Sequence, residues 1–224
     1  MKICGLTSVD DATLAVEAGA WALGMILWDG SPRACSLDDA AAIAATYRRQ
    51  VEVCGVFVDA TLDEVARAVD VASLTMVQLH GDEGPVYCTE VARRTGAKVV
   101  KAARVGSRSD IQAMERYRTD LHLLDTRVEG QHGGTGKTFD WGLTKLRMSR
   151  VPLIVSGGLH VGNVAEAIEA TRPFAVDVAS GTEAAPGVKD PELISAFMQA
   201  VQAADAAREA AESEPGPAGE EVSS

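Results

Sequence analysis

Short runs of β-branched and aliphatic residues alternate along this chain with longer, alanine-rich segments whose apolar positions recur every three to four residues. The apolar runs occupy residues 2–4, 20–27, 51–58, 75–79, 97–102, 120–125, 152–155 and 174–178. Segments of helical period fall near 8–18, 36–49, 61–72, 83–95, 107–117, 139–147, 161–171 and 190–204. These make eight strand–helix pairs of about 25 residues each. Many of the runs are apolar on both faces, as in strands covered by helices on one side and by a packed interior on the other. Strict alternation implies parallel strands joined by right-handed crossovers. Open doubly wound sheets usually stop at about five or six strands, so eight units predict a single closed (β/α)8 barrel, the TIM-barrel architecture. Cys4-Gly5-Leu6-Thr7 after the first run also lacks the glycine pattern of a dinucleotide-binding turn.

Helix starts are marked by hydroxyl residues followed by acids. Ser8 precedes Asp10 and Asp11, Ser36 precedes Asp38 and Asp39, and Thr61 precedes Asp63 and Glu64. Hydroxyls at these positions accept from free backbone N–H groups, and first-turn acids suit the positive end of the helix dipole. These residues are therefore assigned to capping.

Periodicity fades from about residue 206 into an Ala/Glu/Pro/Gly/Ser-rich stretch. Residues 1–205 are expected to form the barrel domain and 206–224 a disordered acidic tail, because such a composition cannot bury a core. The tail sets one arginine against five glutamates and so carries −4 of the net −11. An acidic chain excludes non-specific nucleic-acid binding, which needs a basic surface. No run reaches the roughly 20 apolar residues of a membrane span, and no leader pattern opens the sequence. Cys4, Cys35, Cys54 and Cys88 form no C-x-x-C pair, which implies a reducing cytoplasm. Monomer and homodimer both remain open.

In a barrel of this kind the chemistry sits at the carboxyl ends of the strands. The polar residues there are Cys4, Arg33, Gln78, His80, Asp125, Ser156, Asp177 and Ser180. Ser156-Gly157-Gly158 after the seventh run and Ser180-Gly181 after the eighth are small enough for backbone N–H groups to approach an anion. One Gly-Gly alone would mean a tight turn, but two clusters on adjacent terminal strands point to phosphate. Gly133-Gly134-Thr135-Gly136 lies in a long loop, 126–138, read as a lid. Asp125 shares a face with Leu121 and Leu123 at the top of its strand, where an apolar setting raises a carboxyl pKa as a general acid requires. His122 points the other way and is assigned to the core. Cys4 ends the first strand; a thiol of ordinary pKa is a poor base at neutral pH, so a basic role needs a lowered pKa. Cys35, Cys54 and Cys88 are assigned to packing. A phosphate held by strands seven and eight would anchor a substrate between Cys4 on one side and Asp125 on the other.

Several of these motifs resemble the phosphoribosylanthranilate isomerase family. They are Lys2 to Thr7, Ser31-Pro32-Arg33, Gly55 to Val58, Val77 to Gly81, Leu123 to Asp125 and Gly133 to Gly136. Phe139-Asp140-Trp141, Gly157-Gly158-Leu159 with Asn163, Val176 to Gly181 with Glu183, Pro186-Gly187 and Lys189-Asp190 complete the set. The resemblance runs in order from residue 2 to about 197. It implies an Amadori rearrangement of N-(5-phosphoribosyl)anthranilate, a small phosphorylated substrate, in tryptophan biosynthesis, with no metal and no cofactor. It also implies Cys4 as general base, Asp125 as general acid, Arg33 on the anthranilate carboxylate, and Gly157, Gly158, Ser180 and Gly181 around the phosphate. Trp28-Asp29-Gly30 and His160-Val161-Gly162 depart from the family pattern near the expected site. A histidine-pathway ProFAR isomerase or dual-substrate relative would place aspartate at Cys4. A non-catalytic phosphoribosyl-binding barrel would not need Cys4, Asp125 and Arg33 together.

Overall fold

The computed structural model describes residues 1–126 and 140–213. Eight strands, β1 (Lys2–Cys4), β2 (Ala22–Ile26), β3 (Glu52–Phe57), β4 (Met76–Leu79), β5 (Lys98–Val105), β6 (Leu121–Thr126), β7 (Leu153–Val155) and β8 (Ala175–Val178), pair in parallel in sequence order. The pairing of β8 with β1, Lys2 opposite Asp177, closes the barrel. Around it lie α1 (Val9–Glu17), α2 (Leu37–Tyr47), α3 (Leu62–Ala72), α4 (Pro85–Thr95), α5 (Arg108–Met114), α6 (Val164–Thr171) and α7 (Pro191–Ser213). The expected caps form: Ser8 and Ser36 accept from the third residue on, and Thr61 with Glu64 makes a reciprocal capping box.

Three features differ from the sequence expectation. The segment predicted as a helix at 139–147 is a 3-10 helix, Trp141–Leu146, started by Asp140 accepting from Gly142 N–H. Between β8 and α7 the chain adds a 3-10 turn, Ser180–Thr182, and a small hairpin of β9 (Glu183–Ala185) and β10 (Val188–Lys189). The disordered tail expected from 206 is helical as far as Ser213, because α7 runs on past the boundary at 205. Ala206, Ala207, Ala210 and Ala211 are exposed, so helix propensity rather than burial sustains that extension. The glycine-rich segment at 133–136, expected as part of a lid, Phe139, and the end of the tail at 214–224 lie outside the described residues.

The core has two layers. Ile3, Leu23, Val53, Val77, Val99, Leu124 and Val155 pack outward against Ile43, Val65, Val91, Ile111 and Phe197 of the helices. Cys54, Val56, Met76, Val100, Ala102, Leu121, Leu123, Ile154 and Ala175 fill the barrel interior. Each buried Leu, Ile or Phe contributes roughly 1.5–3 kcal/mol. Strand alternation carries the inward rows on to polar ends: Ala102 to Arg104, Leu123 to Asp125, Ile154 to Ser156, and Ala175 to Asp177. His122, outward and fully buried, donates from Nε2 to the Tyr117 carbonyl at 3.2 Å and accepts at Nδ1 from Arg147. It is the core histidine expected.

Candidate active site

A pocket opens where those inward rows end. Cys4 from β1, Arg33 from the loop after β2, Gln78 and His80 from β4, Arg104 from β5 and Asp125 from β6 line it. Ser156, Gly157 and Gly158 after β7, with Asp177 and Ser180 from β8, complete the wall. Cys4 and Asp125 thus border one cavity. Gly157 and Gly158 adopt left-handed φ of 89° and 64°, which side chains rarely tolerate. Gly181 does not line the pocket; a Cβ on it would meet the Leu159 carbonyl oxygen at 2.1 Å, so it sits behind the wall in close backbone contact.

Beside Cys4 lies a charge that the sequence reading did not single out. Lys2, the previous inward residue of β1, is wholly buried and pairs with Asp177 at 2.8 Å. Asp177 also accepts from Ser156 at 3.1 Å. Opposite Cys4 in the β1–β2 register stands Gly24, where a Cβ would fall 2.8 Å from Cys4 Sγ and 3.1 Å from Lys2 Nζ. Only glycine leaves room for both side chains. Burial pushes the Cys4 thiol above its ordinary range; Lys2 pulls it down, Asp177 pushes it up and Lys189 pulls it down. The net shift is upward, opposite to the lowered pKa that a basic thiol was expected to need. Desolvation of the thiolate exceeds the help from nearby ammonium groups.

On the other side, Asp125 Oδ2 lies 3.4 Å from His80 Nε2, and His80 Nδ1 lies 3.1 Å from Gln78 Nε2. Gln78 Oε1 is buried without a partner among the described residues, an acceptor that a ligand hydroxyl can satisfy. The loop carrying His80 is braced by Lys101, whose ammonium donates to the Gly81 carbonyl and to Glu83. Arg33 spends Nε and Nη2 on Glu183 at 2.8–2.9 Å, and Lys189 holds the same carboxylate at 3.1 Å. Burial would raise the Glu183 carboxyl, but the Arg33 hydrogen bonds and the Lys189 charge prevail and hold it below the carboxylate range. No group of three His, Cys, Asp or Glu side chains among the described residues could hold a metal ion.

A family model for N-(5'-phosphoribosyl)anthranilate (PRA) isomerase matches residues 1–200. The chain belongs to the phosphoribosylanthranilate isomerase family. A relative of that name from Pseudomonas syringae pv. tomato is 46% identical over 202 residues, covering 89% of this chain and 96% of the relative. The phosphoribosylanthranilate isomerase crystal structure from Thermotoga maritima is 38% identical, with a TM-score of 0.82 over 90% of this chain and 98% of that one. Another solved isomerase, 36% identical with a TM-score of 0.79 over 90% of this chain and 97% of that one, is in complex with reduced 1-(o-carboxyphenylamino)-1-deoxyribulose 5-phosphate.

Within this isomerase barrel, all eight polar strand-end residues named from sequence line the pocket: Cys4, Arg33, Gln78, His80, Asp125, Ser156, Asp177 and Ser180. Arg104 was not among them, because the fifth strand was expected to stop at Ala102 and runs to Val105. Nothing local in the sequence marks Lys2, which opens an apolar run, as a buried charge. The register pairing Lys2 with Asp177 is the only signal that could have found it, and it is a long-range one.

Proposed function

We propose that this enzyme, an intramolecular oxidoreductase of the aldose–ketose isomerase class, rearranges N-(5-phosphoribosyl)anthranilate to 1-(2-carboxyphenylamino)-1-deoxyribulose 5-phosphate, with Asp125 as general acid and Cys4 as general base. Asp125 gives its proton to the ribose ring oxygen, and the C1–O bond breaks to leave a cationic Schiff base between C1 and the anthranilate nitrogen. That positive charge acidifies the neighbouring C2 proton and favours the thiolate over the thiol, offsetting the burial that raises Cys4. Cys4 takes the C2 proton, and the enolamine tautomerises to the C2 ketone. Backbone groups at Gly157, Gly158 and Ser180 hold the phosphate, as Gly-rich turns after the last two barrel strands commonly do, with Gly181 behind them letting the two turns pack closely. Arg33, with the donors not spent on Glu183, meets the anthranilate carboxylate.

The observation that carries this reading is the common pocket bordered by Cys4 and Asp125. A cytoplasmic location is part of the proposal and is supported by four free cysteines; no helix among the described residues is long and apolar enough to cross a membrane. The test follows the loss of fluorescence of freshly made phosphoribosylanthranilate, with ProFAR as a parallel substrate. Turnover of the anthranilate compound, and its fall by about a hundredfold or more in both Cys4→Ala and Asp125→Ala, is expected. Turnover of ProFAR alone, or full activity in either variant, would overturn the assignment.

A further inference from the structure

The turn after β4 is held more firmly than a connecting loop needs. Lys101, buried in β5, donates to the carbonyls of Leu79 at 3.3 Å and Gly81 at 2.6 Å, the two residues that flank His80. It also pairs with Glu83 at 2.7 Å, and Glu83 accepts from the N–H groups of Gly81 at 2.9 Å and Asp59 at 3.0 Å. His80 N–H donates to the Phe57 carbonyl at 2.9 Å, and a Cβ on Gly81 would collide with Asp59. Both side chains of the Lys101–Glu83 pair are almost wholly shielded from solvent. A buried ion pair is weak evidence of stability in itself, because both charges must be desolvated. What this pair does fix is the backbone on either side of one imidazole.

That imidazole lines the pocket between two partners. Gln78, 1% exposed, turns Nε2 to His80 Nδ1 at 3.1 Å, while His80 Nε2 faces Asp125 Oδ2 at 3.4 Å. An amide nitrogen only donates, so Nδ1 accepts and the ring proton sits on Nε2. A second proton on Nδ1 would point at the amide donors, so Gln78 selects the neutral ring. Gln78 Oε1, buried without a partner among the described residues, is the acceptor left over. A substrate hydroxyl that donates to it would hold the amide in this orientation.

We infer that His80 is a positioning residue for the general acid, a neutral imidazole whose Nε2–H is given to Asp125 Oδ2 and keeps the acidic proton of Asp125 on Oδ1. The inference rests on the isomerase reading with Asp125 as acid, and adds what decides which carboxyl oxygen delivers the proton. A protonated carboxyl has one donor oxygen and one acceptor oxygen. With Oδ2 engaged as the acceptor, the proton that passes to the ribose ring oxygen leaves from Oδ1. The same N–H then stabilises the carboxylate left behind, and His80 itself gains and loses no proton. At 3.4 Å the contact is long for a hydrogen bond, and catalytic contacts of this kind commonly tighten once ligand fills the pocket.

Two measurements test this. Nitrogen NMR at neutral pH uses protein carrying isotope-labelled histidine, with the His80 signal identified by its absence in His80→Gln. With reduced 1-(o-carboxyphenylamino)-1-deoxyribulose 5-phosphate bound, the wild-type His80 ring should be neutral and protonated at Nε2, and Gln78→Leu should mix the two tautomers. A wild-type ring protonated at Nδ1, or at both nitrogens, would overturn the inference. In steady-state kinetics His80→Leu should lower kcat by roughly tenfold to a hundredfold, the scale of a misplaced catalytic group, with KM changed by less than about threefold. His80→Gln, which keeps an N–H near the Nε2 position, should recover part of the loss. In an Asp125→Ala background His80→Leu should add less than about threefold. Wild-type kcat in His80→Leu, or its full loss repeated in the Asp125→Ala background, would overturn the inference and leave the isomerase reading standing. Full activity in Asp125→Ala alone would sink the acid assignment itself, and the inference with it.

Discussion

Lys2 Nζ lies 2.8 Å from Asp177 Oδ1 inside the barrel, with the lysine side chain shielded from all solvent. The pair is one step along β1 from Cys4, and it is the fixed positive charge on which a thiolate there depends. The Gly24 contacts hold Lys2 Nζ and Cys4 Sγ within about 6 Å, where a unit charge at an effective dielectric of about 20 is worth roughly 3 kcal/mol. The other charges facing the thiol are Asp177 from β8 and Lys189 from β10, with Cys54 of β3 close to the same lysine. Lys2→Met is therefore expected to push the Cys4 thiol higher still. Iodoacetamide labelling of Cys4, followed by mass spectrometry across pH, should show a higher midpoint in the variant; an unchanged midpoint removes Lys2 from the account. Breaking the buried pair should also cost about 3–5 kcal/mol in urea unfolding, with Lys2→Met and Asp177→Leu together costing less than their sum.

Gly24→Ala probes the same corner sterically. The added methyl would collide with Cys4 Sγ and crowd Lys2 Nζ, so the thiol must move. Overpacking a rigid interior typically costs about 1–3 kcal/mol, and a displacement near 1 Å can cost roughly a hundredfold in rate. Melting and steady-state kinetics on one preparation check this. Wild-type kcat with Ala at this position would show that the Cys4 placement is not critical.

Glu183 gives the site an acid-sensitive joint. Its folded carboxyl titrates below the ordinary 4.5 because Arg33 and Lys189 hold the charged form. A depressed carboxylate stabilises the fold above the unfolded pKa and loses that contribution as pH falls through the folded value. Wild type should therefore exceed Glu183→Gln in stability at neutral pH, and the gap should close below about pH 4.5. A gap that stays constant from pH 7 to about 3 would contradict the ion-pair account.

His122 acts in the same sense, in a higher pH window and by staying neutral rather than charged. Burial and the Arg147 charge lower its pKa from 6.5 to about 4, so the folded protein holds it neutral while the unfolded chain protonates it. Stability should fall by up to about 3 kcal/mol as pH drops from 6.5 to 4, and His122→Gln should remove that part of the slope. Parallel slopes in wild type and variant would show that His122 does not titrate between the two states.

The barrel was legible because its signals are local. Eight two-sided apolar runs, each followed by a capped amphipathic segment, leave little choice of topology, and Ser8, Ser36 and Thr61 cap as their neighbours predict. Asp125 was legible for the same reason, since a two-residue period from Leu121 carries it inward. The site's support was not. Lys2 with Asp177, and Arg33 with Glu183, join residues 175 and 150 positions apart, and no local pattern encodes such pairings. The Cys4 ionisation was not legible because it depends on a balance between desolvation and those same distant charges. The tail boundary missed because loss of apolar period was taken as loss of helix, whereas the helix propensity of exposed alanines carries α7 on to Ser213.

The central claim is that one ribose is reached from two sides by Cys4 and Asp125. A crystal structure of this protein with reduced 1-(o-carboxyphenylamino)-1-deoxyribulose 5-phosphate tests it most directly. Cys4 Sγ is expected within about 4 Å of C2, with an Asp125 carboxyl oxygen about 2.6–3.2 Å from the C4 hydroxyl that was the ring oxygen. A ligand seated with either group out of reach of those atoms would contradict the account.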